Sequence, residues 1–143
     1  MKKWIGIFFL FGLASIAQKN DSLISLINKE TNTLKKHELE LQLATEYLKS
    51  SNYNQCIEIS KNLILLKPKN IKEDAFILLA KSYIALAEID SAQKYVSKSI
   101  QLSQKNNSTE NLAKSYFVQS QIFQYEADFT QQANYSLKSI ELA

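Results

Sequence analysis

The sequence predicts an all-α protein, a solenoid of antiparallel helix pairs, and three observations carry that prediction. First, one pattern recurs along the chain: Leu43-Ala44 with Tyr47, Leu79-Ala80 with Tyr83, and Ser120 with Phe123. Each is followed by a second group, namely Tyr53 with Cys56, Ile89 with Ala92, and Phe129 with Gln132. Second, 143 residues include only 2 Gly and 1 Pro, little punctuation for strand hairpins or flexible linkers. Third, Leu, Ala, Lys, Glu, Gln and Ser dominate long stretches, and no segment sustains period-two alternation. A unit repeating every three dozen residues marks a helical array, and such arrays present extended binding surfaces.

Composition narrows the function classes. With 45% hydrophobic and 22% charged residues, the chain can build one modest domain with a real core. Its formal charge is +3, and without Lys2 and Lys3 the balance is 15 lysines against 14 acids. Near-neutral, interspersed charge gives no field for nucleic acid. None of the 17 basic residues is Arg, so no bidentate fork exists for phosphate or guanine. A single cysteine, Cys56, allows no internal disulfide.

Taken in order, the chain opens with Met1-Lys2-Lys3 and an apolar run from Trp4 to Ala14, then Ser15-Ile16-Ala17. That order of basic, apolar and small residues predicts a signal peptide over 1–17, cleaved to leave Gln18 first. The run is too short for a bilayer, which needs about 20 residues. Leu23, Ile24 and Ile27 share one helix face, so 18–33 is expected to hold a lead-in helix capped by Asp21. It would cover the open face of the first pair, as terminal caps of open arrays do. A helix over about Leu34–Ser50 follows. Asn52 with Gln55 offers a capping box for its partner, which Pro68 stops. Asn70 with Glu73 offers another for a helix to about Ala87, paired with one from Ile89 to Gln104. Asn107 with Glu110, and Asp128 with Gln131, would cap the last two helices.

These pairs resemble tetratricopeptide repeats over roughly Leu34 to Ala143. The second fits best, through Phe76, Leu79, Ala80, Tyr83, Ile89, Ala92 and Ser99, with Gln104 where the family has Pro. The first keeps Leu43, Ala44, Tyr47, Tyr53, Cys56 and Pro68 but has Glu40 for a bulky residue. The third keeps Tyr116, Ser120, Phe123 and Phe129 but has Gln119 for Leu and Gln132 for a small residue. Starts at 37, 73 and 113 are spaced by 36 and 40, against a family period of 34. The resemblance implies a right-handed α-solenoid with a domain over 34–143, in units of about 34–70, 71–107 and 108–143.

It also implies a groove lined by the first helix of each pair. Carried over by position, that face presents Glu38, Leu41, Thr45, Leu48 and Lys49. The second pair adds Asp74, Ile77, Lys81, Ile84 and Ala85, and the third Lys114, Phe117, Gln121, Gln124 and Tyr125. It lacks the Lys/Asn/Arg set with which some members hold a peptide carboxylate. Leu41, Leu48, Ile77, Ile84 and Phe117 suit an apolar or helical partner segment instead. The same apolar positions also suit packing within the array.

Nothing in the sequence assembles catalysis or a cofactor site. His37, the lone histidine, reads as a surface residue or a turn contact at the start of a polar helix. Cys56 reads as a buried thiol, and two such ligands are too few for a closed zinc site. No Gly-rich phosphate loop, GxSxG or HExxH occurs. The expectation is a non-enzymatic scaffold, exported to the periplasm or cell envelope, binding a protein or peptide. No nucleic acid, small-molecule substrate or cofactor is expected, and the membrane is met only through the signal peptide. Secretion, or anchoring by an uncleaved N-terminal segment, is the other location. The rivals are a truncated sensory region of a histidine kinase or helix-turn-helix regulator, and a structural envelope protein. The latter would self-associate through Leu137 and Ile140 of the last pair.

Overall fold

The computed structural model describes residues 18–65 and 69–143, with the side chains at 69 and 70 left aside. The expected signal peptide (1–17) and the helix stop at Pro68 lie outside the described residues. Seven helices account for nearly all of the rest: α1 (18–29), α2 (Thr33–Lys49), α3 (Tyr53–Leu65), α4 (Lys69–Ala85), α5 (Ile89–Asn106), α6 (Thr109–Tyr125) and α7 (Phe129–Leu142). They pack in consecutive pairs, α2 with α3, α4 with α5 and α6 with α7. Each pair is antiparallel where its bonds can be traced. Ser99 and Ser103, late in α5, donate to Glu73 at the start of α4, and Ser139 in α7 donates to the Ala113 carbonyl in α6. The fold is an all-α, solenoid-like array.

Small side chains set the close approaches. Ala44 and Cys56 meet between α2 and α3 beside Leu78, and Ala80 and Ala92 meet between α4 and α5. All of these are fully or nearly fully buried, so extra methylenes there would overpack the contact. Tyr83 closes the gap and stacks on Tyr95, with centroids 5.6 Å apart and an interplanar angle of 3°. The main core joins Ile57, Ile77, Leu79, Val96, Val118 and Ile122 across all three pairs. At the N-terminal end, Leu23 and Ile27 of α1 pack on Leu43, Leu39 and Tyr47, and Lys19 pairs with Glu46 at 3.0 Å.

The turn inside each pair repeats one geometry. The amide N–H groups of Asn52, Glu88 and Asp128 donate to the carbonyls of Tyr47, Tyr83 and Phe123 at 2.8, 2.9 and 2.9 Å. One residue earlier, Ser51, Ala87 and Ala127 sit in the left-handed region at φ 61, 59 and 58°. These residues are 36 and 40 apart, the intervals read for the pair starts. This is a helix stop that usually uses glycine, because a Cβ there costs roughly 1–2 kcal/mol. Ser and Ala stand in its place.

Several expected caps are corrected. Asp128 does accept from the Gln131 N–H, at 3.0 Å. Asp21 lies inside α1, which spans 18–29, and Asn32 caps α2 by accepting from the Lys35 N–H at 3.1 Å. The Asn52 amide donates to the Ser50 hydroxyl. Asn107 ends α5 in the left-handed region and Ser108 precedes α6. Glu73 caps nothing: α4 begins at Lys69, so this carboxylate lies one turn inside and turns toward α5 and α6.

Candidate partner-binding face

The first helices of the pairs form a row. The backbones of α2 and α4, and of α4 and α6, approach closely, whereas among the described residues no Cα of α3 comes within 8 Å of α5, nor any of α5 within 8 Å of α7. Helices closest to their neighbours lie on the inner side of such a stack, so α2, α4 and α6 share the inner face.

The ten expected groove residues do not form one continuous cleft. Leu41 and Thr45 line a hollow with Glu30, Lys35, Glu38 and Leu39 at the α1–α2 end. Lys81 and Phe117 line another with Ala113, Lys114, Ser139 and Leu142 at the α6–α7 end, about 710 Å³ in volume. Asp74 lines a third hollow, of about 390 Å³, with Glu73, Glu110, Asn111 and Lys114 where α4 meets α6. Ile77 is only 4% exposed and belongs to the main core together with Val118 and Ile122 of α6, so it presents nothing to a partner. Leu41, Leu48 and Ile84 are half-buried against the cores, and the Thr45 hydroxyl donates to the Leu41 carbonyl at 2.8 Å. Gln121 is half-buried, while Phe117 (50%) and Tyr125 are the large apolar side chains the face leaves open.

Electrostatics concentrate where α4 meets α6. Burial pushes the Asp74 carboxyl up, outweighing Lys114 3.8 Å away. Burial, helped by the like charge of Lys114, pushes the Lys81 ammonium down. Lys114 itself, held by Glu110 at 2.6 Å and by Asp74, is raised although burial opposes this.

Sequence reasoning missed the polar layer behind this face. The buried Glu73 carboxylate accepts from Ser103 at 3.1 Å, Asn106 at 2.6 Å and Asn111 at 3.1 Å. Burial works to raise its pKa, but hydrogen bonds led by Asn106 prevail and hold the carboxyl below its ordinary value. Ser99 and Ser115 share a 2.7 Å bond, and Gln93 and Gln119 exchange bonds of 3.1 and 2.7 Å. Gln119, where the resemblance led us to expect Leu, thus has an amide partner on α5. The available signal was the spacing of Ser99, Ser103 and Asn106 on one face of α5.

The two residues weighed for chemistry are both inside. His37, expected at the surface, is buried, and its Nδ1 has no partner. Cys56 is fully buried, and burial pushes its thiol up, away from the reactive thiolate. Among the described residues no His, Cys, Asp and Glu are grouped to hold a metal ion. No helix among them is long and apolar enough to cross a membrane.

No protein-family model and no curated protein matches the sequence. A solved structure does: the crystal structure of BtubC (BKLC) from P. vanneervenii, with a TM-score of 0.63 at 15% identity. The alignment covers 90% of this chain and 54% of that one, so this chain spans about half of its neighbour's length. A likeness at this identity defines the class alone, an array of helical hairpins.

Proposed function

We propose that this chain is an exported, non-enzymatic interaction scaffold of the tetratricopeptide type, taking a peptide or helical segment of a partner protein along α2, α4 and α6. The observation that carries the reading is the contiguous inner row of first helices, with Phe117 and Tyr125 open at one end. The burial of Ile77 moves the expected apolar anchor toward that end, near the hollow of Lys81, Lys114 and Phe117. Export rests on the Met1–Ala17 pattern, and a mature chain beginning at Gln18 in a periplasmic or culture fraction would support it.

Crosslinking and pull-down from the envelope fraction, comparing wild type with Phe117→Asp plus Tyr125→Asp, tests the groove. Loss of a partner supports it, and undiminished recovery of every partner rules this face out. A second reading, self-association, is favoured by Leu137 and Ile140, which stand largely in solvent on α7. Sedimentation over a range of concentrations decides that one, because a monomer throughout excludes it.

A further inference from the structure

On the side away from the inner face, α5 carries a line of lysines. Lys94, Lys98, Gln101 and Lys105 follow one another at helical spacing, all exposed, over about 16 Å of helix axis. Among the described residues Asp90 is the acid at the start of that line, and Glu88 lies near Lys61 of α3. Lys98, Gln101 and Lys105 border a cleft of about 380 Å³ together with Lys72. Its floor is apolar, made of Ile64, Phe76 and Leu102, and no carboxylate lines it. Lys61 completes the patch from α3, over the Tyr83 ring at 5.8 Å, while Lys98 lies 5.9 Å from both Phe76 and Tyr95. None of these five lysines is in an ion pair among the described residues, unlike Lys19, Lys49 and Lys114. At the α7 positions matching Lys94, Lys98 and Gln101 stand Asn134, Lys138 and Glu141, so the repeat does not require a net positive line there.

We infer that this cleft and its lysine line form a second docking surface, for an acidic amphipathic segment of a partner protein. Carboxylates at three-four spacing would meet Lys94, Lys98 and Lys105, and one apolar side chain would enter the cleft over Phe76 and Leu102. The shape favours a peptide over a membrane. Amphipathic surfaces that enter bilayers project their apolar side chains, whereas here Ile64, Phe76 and Leu102 are half-buried, and the Lys98 ammonium lies over the Phe76 ring. It also disfavours single-stranded nucleic acid, whose bases need open ring faces, because Phe76, Tyr95 and Tyr83 stack on one another. The surface is independent of the inner face, and either can fail alone.

The probe is a fluorescein-labelled helical peptide with Glu at i, i+4, i+7 and i+11 and one Leu on the same face, followed by anisotropy. Saturable binding to the wild-type chain is expected, weakened by roughly tenfold or more in Lys98→Glu plus Lys105→Glu, and by added salt. Lys138→Glu and Phe117→Asp should bind within about twofold of wild type. Replacing the peptide's Leu by Ser should weaken binding, and replacing its Glu by Lys should abolish it, tests that need no protein variant. Absence of saturable binding overturns the inference. So does equal loss in Lys138→Glu, or preference for phosphatidylglycerol vesicles or single-stranded DNA over the peptide.

Discussion

The two ends of the array are built from the same kind of helix pair, yet one is sealed and the other is open. At the first pair, α1 lies across α2, and Leu23, Ile27 and Leu43 are buried together. At the last pair, α7 has no buried residue, and Phe129, Leu137 (58%) and Ile140 (72%) face solvent. The contrast holds position by position. Ile77 and Phe117 occupy the same place in consecutive pairs, but α6 covers Ile77 and no described residue covers Phe117 in the same way. Burial at this position is thus conferred by the next unit, not by the pair itself.

The largest effect should come from truncating that matched couple. Ile77→Ala should cost about 2–5 kcal/mol through the cavity it leaves, and Phe117→Ala about 1 kcal/mol or less. Urea midpoints at unchanged m-value measure both, and equal losses would contradict the contrast. Next, Ala80→Leu should cost about 1–3 kcal/mol, since α6 prevents α4 and α5 from parting. Ser120→Leu, at the matching site of the open pair, should cost less, because α7 can shift outward.

Acid titration separates two neighbouring carboxyls. Glu73 is held below its ordinary value, so its contribution is intact above about pH 4.3 and is lost as pH falls toward its folded value. Asp74 is raised by burial, so its contribution runs the other way and grows on acidification. Between pH 5 and 3 (~1 unit either side of the ordinary value), Glu73→Gln should flatten the stability loss and Asp74→Asn should steepen it. Thermal melts across that window would sink the assignment if both variants kept the wild-type slope. The smallest effect is a gain. Ala87→Gly should stabilise by up to about 1 kcal/mol, since glycine relieves the left-handed strain while loosening the unfolded chain. Ala127→Gly should show it mainly as slower amide exchange in α7.

The architecture was legible because close helix approach demands small residues with an aromatic beside them, and Ala44, Ala80, Tyr47 and Tyr83 declare that locally. Turn positions were less legible, since Ser51, Ala87 and Ala127 carry no glycine signal. Glu73 was misread because Asn70-Ile71-Lys72-Glu73 also spells a local cap, whereas its partners lie 30, 33 and 38 residues away. On the candidate face, Ile77 and Phe117 look equally apolar in sequence. Only the arrival of α6 decides which one remains available to a partner.

The polar layer around Glu73 has a mechanical consequence. A carboxylate gripped from α5 and α6 at once has one arrangement that serves every donor, so sliding α6 by a helical turn would pull Asn111 away and part the Ser99–Ser115 and Gln93–Gln119 pairs as well. The joint between the second and third pairs is therefore indexed. Between the first and second pairs the described contacts are mainly apolar, Leu63 on Ile71 and Ala75, and Ala44 on Leu78, with the Lys61 ammonium over the Tyr83 ring. The two joints therefore differ in kind: hydrogen bonds fix the register of the second, and apolar packing holds the first.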